Sequence, residues 1–160
     1  MRRMTIAFFS VCALLLVGAQ AHAQTVRLTA ALSGSSETPG VLTGATGSAE
    51  VFVNLSTRGV SYRVEIFNMP TQTTAGHFHV GGPGLAGPIV VDLAPPAVTD
   101  DFSLSGTVSA SALRPRTDQG IRTFDDFLQA LVGGQIYVNV HSSTNPGGEI
   151  RGQLVPDAPF

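Results

Sequence analysis

The stretch from residue 47 to residue 66, GSAEVFVNLSTRGVSYRVEI, decides which fold class the sequence predicts. Apolar and polar residues alternate on both sides of its centre, from Ala49 to Leu55 and again from Val60 to Ile66. This period of two is typical of a strand with one buried face. The residues between the two runs, Ser-Thr-Arg-Gly, favour a turn. We therefore predict a β-hairpin here.

The same alternation continues outward from the hairpin in both directions. Residues 123–134 depart from it: Thr123 and Asp126 resemble a capping box, and apolar residues then recur at helical spacing before two glycines. Seven or eight strands with one short helix predict an all-β domain, an antiparallel Greek-key sandwich or barrel. Besides the hairpin, the predicted strands cover residues 25–32, 74–80, 88–93, 101–109, 135–141 and 149–154.

The N-terminal residues 1–23 have the layout of a secretory signal peptide. Two arginines precede an uncharged run, and Ala21-His22-Ala23 fits the small-x-small cleavage motif. The apolar run of about 14 residues is shorter than the roughly 20 that a membrane-spanning helix needs. We therefore expect cleavage, a secreted or periplasmic protein without a transmembrane segment, one domain at 24–154 and a short C-terminal tail at 155–160.

The composition limits the chemistry of the mature domain. The only cysteine of the full sequence, Cys12, lies in the predicted signal peptide, so the mature domain has none and we expect no disulfide. The chain has no lysine, and seven arginines against eleven carboxylates leave a net charge of −4 after cleavage. Such a domain lacks the basic surface needed for a phosphate backbone, which excludes nucleic acid as a partner. We expect a monomer that binds an unidentified protein or envelope component.

The histidines that remain after cleavage suggest a metal site. His77 and His79 are two residues apart on a predicted strand and so share one face. His141 ends a later strand, on the same face as Asn139. Three imidazoles with an open coordination position suit copper or zinc, and would need nitrogens within about 4 Å of one another. The alternative is that the histidines hydrogen-bond loop carbonyls and hold no metal.

The segment NPGGEIRG, residues 145–152, is the second informative stretch. Its first residues are turn formers, and Arg151 lies on the strand that follows. Arg151 could bind an anion near His141, with Asn139 and Glu149 as further contacts. Alternatively it has a structural role, paired with a glutamate (Glu37, Glu50 or Glu65) or with loop carbonyls.

Four stretches of the sequence form a recognisable set of motifs: LSGSSETP at 32–39, GHFH at 76–79 followed by GPIV at 87–90, YVNVH at 137–141, and NPGGEIRGQL at 145–154. Together they resemble the CHRD domain family over about residues 26–154. The resemblance implies an extracellular β-sandwich and, for most bacterial members, no established biochemical activity.

A weaker similarity runs to the copper-zinc superoxide dismutases, whose copper ligands include a His-x-His strand and a later histidine. The order His77, His79, His141, Arg151 is similar, but the bridging histidine, the other zinc ligands and the disulfide cysteines are missing. Three functions follow as hypotheses. The favoured hypothesis is a non-catalytic binding or envelope module with a copper or zinc ion. The second is a copper redox enzyme in which Arg151 guides an anion such as superoxide. The third is a structural domain without metal.

Overall fold

The computed structural model describes residues 25–157, and the predicted signal peptide lies outside these residues. Within them the chain forms a single sheet of nine strands in which every pairing is antiparallel, with one α-helix. The all-β, antiparallel fold class is confirmed. The elements are β1 Thr25–Ser33, β2 Thr46–Asn54, β3 Gly59–Met69, β4 Thr73–Val80, β5 Ile89–Leu93, β6 Asp100–Val108, α1 Phe124–Val132, β7 Ile136–Ser142, β8 Ile150–Gln153 and β9 Val155–Pro156.

The predicted hairpin is confirmed as β2 and β3. The two strands pair without interruption from Asn54 opposite Gly59 to Thr46 opposite Phe67. At the turn, the side-chain oxygen of Asn54 accepts a hydrogen bond of 2.8 Å from the backbone of Thr57. The alternating apolar residues all face the interior, since Val51, Val53 and Val64 are fully buried there.

The strand order is β5-β4-β7-β8-β1-β2-β3-β6, in which the pairs β4-β7, β8-β1 and β3-β6 join strands that are not consecutive in sequence. The sheet curls into a nearly closed barrel around one hydrophobic core. Helix α1 begins with a complete capping box between Thr123 and Asp126, and it adds Phe127 and Leu131 to the core. No helix within residues 25–157 has the length and apolar character needed to cross a membrane.

The C-terminal residues from Val155 onward are predicted to form only a short tail, but the first of them pair with the sheet. Val155 pairs with Thr29 and Pro156 with Leu28, so that β9 extends the sheet beside β1. Asp157 then forms an ion pair with Arg27. A two-residue strand is too short to show a periodic pattern, and proline is tolerated where a strand lies at an edge.

Candidate metal centre

Strand β7 is buried on both faces, and this creates the candidate site. The side chains of Ile136, Val138 and Val140 point into the hydrophobic core. The alternate residues Tyr137, Asn139 and His141 point to the other face, yet they are only 2, 4 and 7 % exposed. Loops therefore cover a layer of polar side chains on the outer face of the sheet, a layer in which every polar group needs a partner.

The strand register brings the three predicted histidines together in this layer. Strand β4 pairs with β7 so that His79 lies opposite Tyr137, His77 opposite Asn139, and Ala75 opposite His141. His77 and His79 share one face, as their spacing predicts, while Phe78 between them is fully buried in the core. His141 is therefore diagonal to His77 across the strand pair. The ring centroids of these two histidines are 4.8 Å apart.

Backbone carbonyls orient two of the three imidazoles. Nδ1 of His79 lies 2.8 Å from the carbonyl oxygen of Gly87, and Nδ1 of His141 lies 3.0 Å from that of Pro146. A carbonyl oxygen only accepts, so each Nδ1 must carry the hydrogen and each Nε2 must present a lone pair. The Nε2 of His79 is buried and has no hydrogen-bond partner among residues 25–157. An orphaned buried acceptor of this kind is where a metal ion would be expected to bind.

His77 is oriented differently from the other two. Its Nδ1 lies 2.9 Å from Nε2 of His141, and because that Nε2 is a bare acceptor, Nδ1 of His77 must donate. On the other side of the ring, Nε2 lies 3.6 Å from the carboxylate of Asp92, which is itself paired with Arg114. A move of the ring proton to Nε2 would therefore free Nδ1 as a ligand and direct the proton toward a carboxylate, a common arrangement behind metal-bound histidines.

The three ligand nitrogens lie within 4.8 Å of one another. This exceeds the limit of about 4 Å set by two metal-ligand bonds of about 2 Å each, although Nδ1 of His77 and Nε2 of His141 are hydrogen-bonded to each other at only 2.9 Å. A shared ion would require the three rings to adjust their positions. Burial lowers the pKa of all three imidazoles, that of His79 to about 4, so they are neutral at pH 7 as metal ligands must be.

Arg151 lies in the same polar layer but apart from the ligand atoms. Its guanidinium carbon is 3.4 Å from the centre of the Tyr137 ring, and its Nη2 donates to the carbonyl of Gly82 at 2.9 Å. The His79 ring is stacked on Tyr137 at 4.9 Å. Strand β7 lies between β4 and β8, so His79 and Arg151 approach Tyr137 from opposite sides. Arg151 therefore hydrogen-bonds a loop carbonyl, which is one of the two structural roles that the sequence predicts for it.

Asn139 lies at the centre of the layer, between His77 on β4 and Arg151 on β8. Its Nδ2 donates to Glu37 at 3.4 Å, and its Oδ1 has no hydrogen-bond partner in the part of the chain that the structure describes. Glu37 follows the 3₁₀ turn Gly34–Ser36, and burial raises the pKa of its carboxyl to about 7. From the sequence, Glu37 is expected only as one possible partner for Arg151. Its place in the LSGSSETP motif is the signal by which it could have been found.

Glu149 is not brought into the histidine group. It is fully buried, and its Oε2 accepts hydrogen bonds of 2.6 Å from both Ser142 and Asn145. These bonds lower its pKa although burial acts to raise it. Its carboxylate therefore stabilises the turn that presents Pro146 to His141.

The comparisons with known proteins give one positive result. The model of the CHRD domain matches residues 28–154, which covers most of β1, all of β2 to β8, the helix and every residue of the candidate metal centre. No curated protein and no solved structure matches the chain.

Proposed function

This chain belongs to the CHRD domain family, and we propose that it acts as an exported, non-catalytic binding module that holds one copper or zinc ion on His77, His79 and His141. The ligand atoms would be Nδ1 of His77 and Nε2 of His79 and of His141. Imidazole ligands suit both metals, and copper would bind more tightly at a given set of nitrogens.

One observation supports this proposal most strongly. Two buried histidines have their Nδ1 atoms fixed by backbone carbonyls, and both then direct a bare Nε2 toward the same space as His77. A metal-free structural role would explain the carbonyl bonds, but it would leave the Nε2 of His79 buried without a partner. An unsatisfied buried acceptor costs about 1–3 kcal/mol, and an ion would remove that cost.

His77 separates the metal hypothesis from the structural one. It makes no hydrogen bond to a loop carbonyl, whereas His79 and His141 each tether one. Replacing His77 should therefore remove a ligand without releasing a loop, at the cost of the hydrogen bond to Nε2 of His141. Replacing His79 would disturb both the site and the loop that contains Gly87.

The experiment uses tag-free protein stripped of metal, with the melting temperature and calorimetric binding measured for Zn²⁺ and Cu²⁺. We expect one ion per chain and a rise in the melting temperature for the wild type. His77→Ala, which leaves Nε2 of His141 without its donor, should melt somewhat lower without metal, and it should lose most of the rise that metal causes above its own metal-free melting temperature. Asp118→Asn, which removes an exposed carboxylate far from the histidines in sequence, should respond like the wild type.

A contrary result is equally clear. If neither metal changes the melting temperature of the wild type, or if His77→Ala gains as much as the wild type does, the histidines hold loops and bind no ion. The structural hypothesis would then replace the metal one.

Export is the second part of the proposal, and it is supported by the N-terminal sequence alone. Mass spectrometry of the protein recovered from the culture medium or the periplasm tests it. A mature chain that starts at Gln24 is expected, and a full-length chain retained in the cytoplasm would contradict it.

A further inference from the structure

A cavity of about 240 Å³ lies beside the candidate metal centre, between the 3₁₀ turn Gly34–Ser36 and the loop after β4. Arg151 lines it, although the residue is only 2 % exposed overall. Of its side-chain nitrogens, Nη2 donates to Gly82. Within residues 25–157, no carboxylate lies within 4 Å of this guanidinium. A buried cation without a close counter-charge is costly and calls for an anion.

Glu37 borders the same cavity and is the obvious counter-ion, but its geometry fits a neutral carboxyl group better. Its Oε2 accepts from Nδ2 of Asn139, while its Oε1 and the Oδ1 of Asn139 are both buried without a partner. Both oxygens are acceptors when Glu37 is ionised. A proton on Oε1 would let the carboxyl donate to Oδ1 and would satisfy both atoms in one cyclic acid-amide pair.

Gly148 makes the close approach of these two groups possible. A Cβ atom at this position would stand 2.5 Å from Oε1 of Glu37 and 2.7 Å from Oδ1 of Asn139. Its φ of +142° is also one that side chains rarely adopt. Both oxygens therefore occupy the space beside Gly148 that a side chain at this position would fill.

We propose that this cavity binds a small oxyanion, of the carboxylate or sulfate kind, on the free edge of the Arg151 guanidinium. Arginine binds such groups with two parallel hydrogen bonds, which is more specific than a point charge. Ser35 and Ser36 lie at the rim; both hydroxyls are hydrogen-bonded to Oγ of Ser33, which has one hydrogen to give, so at most one of them keeps a free O–H for the anion. Tyr137 separates this site from the histidines, so the anion site does not depend on the proposed metal function.

The charge state of Glu37 should control this site. Burial, with a smaller contribution from the charge of Glu149, raises the pKa of Glu37, whereas Arg151 and the hydrogen bond from Asn139 lower it, and the result is about 7. Glu37 is therefore mostly neutral at pH 6 and ionised at pH 8, where it would repel an anion. Oxyanion binding should weaken by about fivefold or more over this range.

The test uses the metal-free wild-type protein, so that failure of the metal hypothesis cannot affect it. Sulfate and acetate, which keep their charge between pH 6 and pH 8, are titrated at constant ionic strength against chloride. Binding is followed by the NMR signal of the Arg151 Nε–H group. We expect a saturable shift that is stronger at pH 6 than at pH 8. In Glu37→Gln, which keeps the pairing with Asn139 but cannot ionise, binding should be the same at both pH values.

Arg151→Lys keeps the positive charge but loses the two parallel N–H donors of the guanidinium. It should bind the oxyanion at least tenfold more weakly, as followed by backbone amide shifts. Arg58→Gln removes an exposed arginine and should bind as the wild type does. The proposal fails if neither oxyanion has an effect beyond that of chloride. It also fails if Glu37→Gln loses affinity with rising pH as the wild type does. Should Arg151→Lys not fold, the comparison of the wild type with Glu37→Gln still decides.

Discussion

Nδ1 of His77 lies 2.9 Å from Nε2 of His141, and the carbonyl bonded to the other nitrogen of His141 fixes the direction of that hydrogen bond. The hydrogen belongs to His77. In the metal-free protein the two rings therefore hold each other in place with the same two nitrogens that would bind an ion. Metal binding must break this bond and move the proton of His77 to Nε2, toward Asp92.

This relationship predicts the tautomer of each histidine. Without metal, all three rings should carry the hydrogen on Nδ1. With Zn²⁺ bound, His79 and His141 should keep that form while His77 changes to the Nε2–H form. Long-range ¹H–¹⁵N NMR spectra of the rings distinguish the two forms directly. A His77 ring that stays in the Nδ1–H form at saturating Zn²⁺ would contradict the assigned ligand atoms.

Asp92 is predicted to support the metal through His77. In the metal-bound form, the carboxylate of Asp92 would face the Nε2–H group of His77. Asp92→Asn replaces this carboxylate with a neutral amide, so we expect Zn²⁺ affinity to fall by about tenfold. The melting temperature without metal should change little, because Asp92 is about half exposed. Calorimetric titration measures the affinity. Asp118→Asn is the matched control, and an equal affinity in both variants would remove Asp92 from the site.

The stability of the fold should depend on pH through Glu37. Its pKa rises from 4.5 in the unfolded chain to about 7 in the fold, so the folded state binds the extra proton between these values. The wild type should therefore lose stability as the pH rises through 7. Relative to the wild type, Glu37→Gln should gain about 1–3 kcal/mol between pH 5 and pH 8. Urea unfolding at both pH values measures this difference.

A second titration acts in the opposite direction and must be separated from the first. Burial lowers the pKa of His79 to about 4, so the fold loses stability as the pH falls below about 6.5. His79 is present in both proteins, and its contribution cancels in the comparison. An unchanged difference in unfolding free energy between pH 5 and pH 8 would show that Glu37 ionises normally.

Gly87 should tolerate no side chain. A Cβ atom there would stand 1.7 Å from the carbonyl oxygen of Val80, and the backbone of Gly87 bonds both His79 and Tyr137. Gly87→Ala must displace the loop, and we expect a loss of more than about 2 kcal/mol in unfolding free energy together with weaker metal binding. Gly82→Ala, where a Cβ would meet nothing within 4 Å, is the control. Equal stability of the two variants would contradict the tight contact.

The sequence predicted the strands and the histidine pair because both depend on local periodicity. The alternation around Val51 and Val64 identifies the buried face, and the spacing of His77 and His79 places both imidazoles on the opposite face. Neither requires knowledge of which strands are neighbours. The motifs that resemble the CHRD family contain the same two histidines, His77 and His79.

The remaining features depend on pairing between distant segments. The register that places Asn139 between His77 and Arg151 joins three strands, and no local pattern encodes it. Glu37 reaches Asn139 from a loop 102 residues earlier in the chain. The role of Glu149 in the turn and the pairing of β9 with β1 likewise follow from the fold of the whole domain.

The central claim is tested most directly by a crystal of the mature protein soaked in Zn²⁺ and measured at the zinc absorption edge. We predict one anomalous peak per chain, about 2 Å from Nδ1 of His77 and from Nε2 of His79 and His141. The absence of a peak at these nitrogens, with His77 and His141 still hydrogen-bonded to each other, would contradict the metal-binding account.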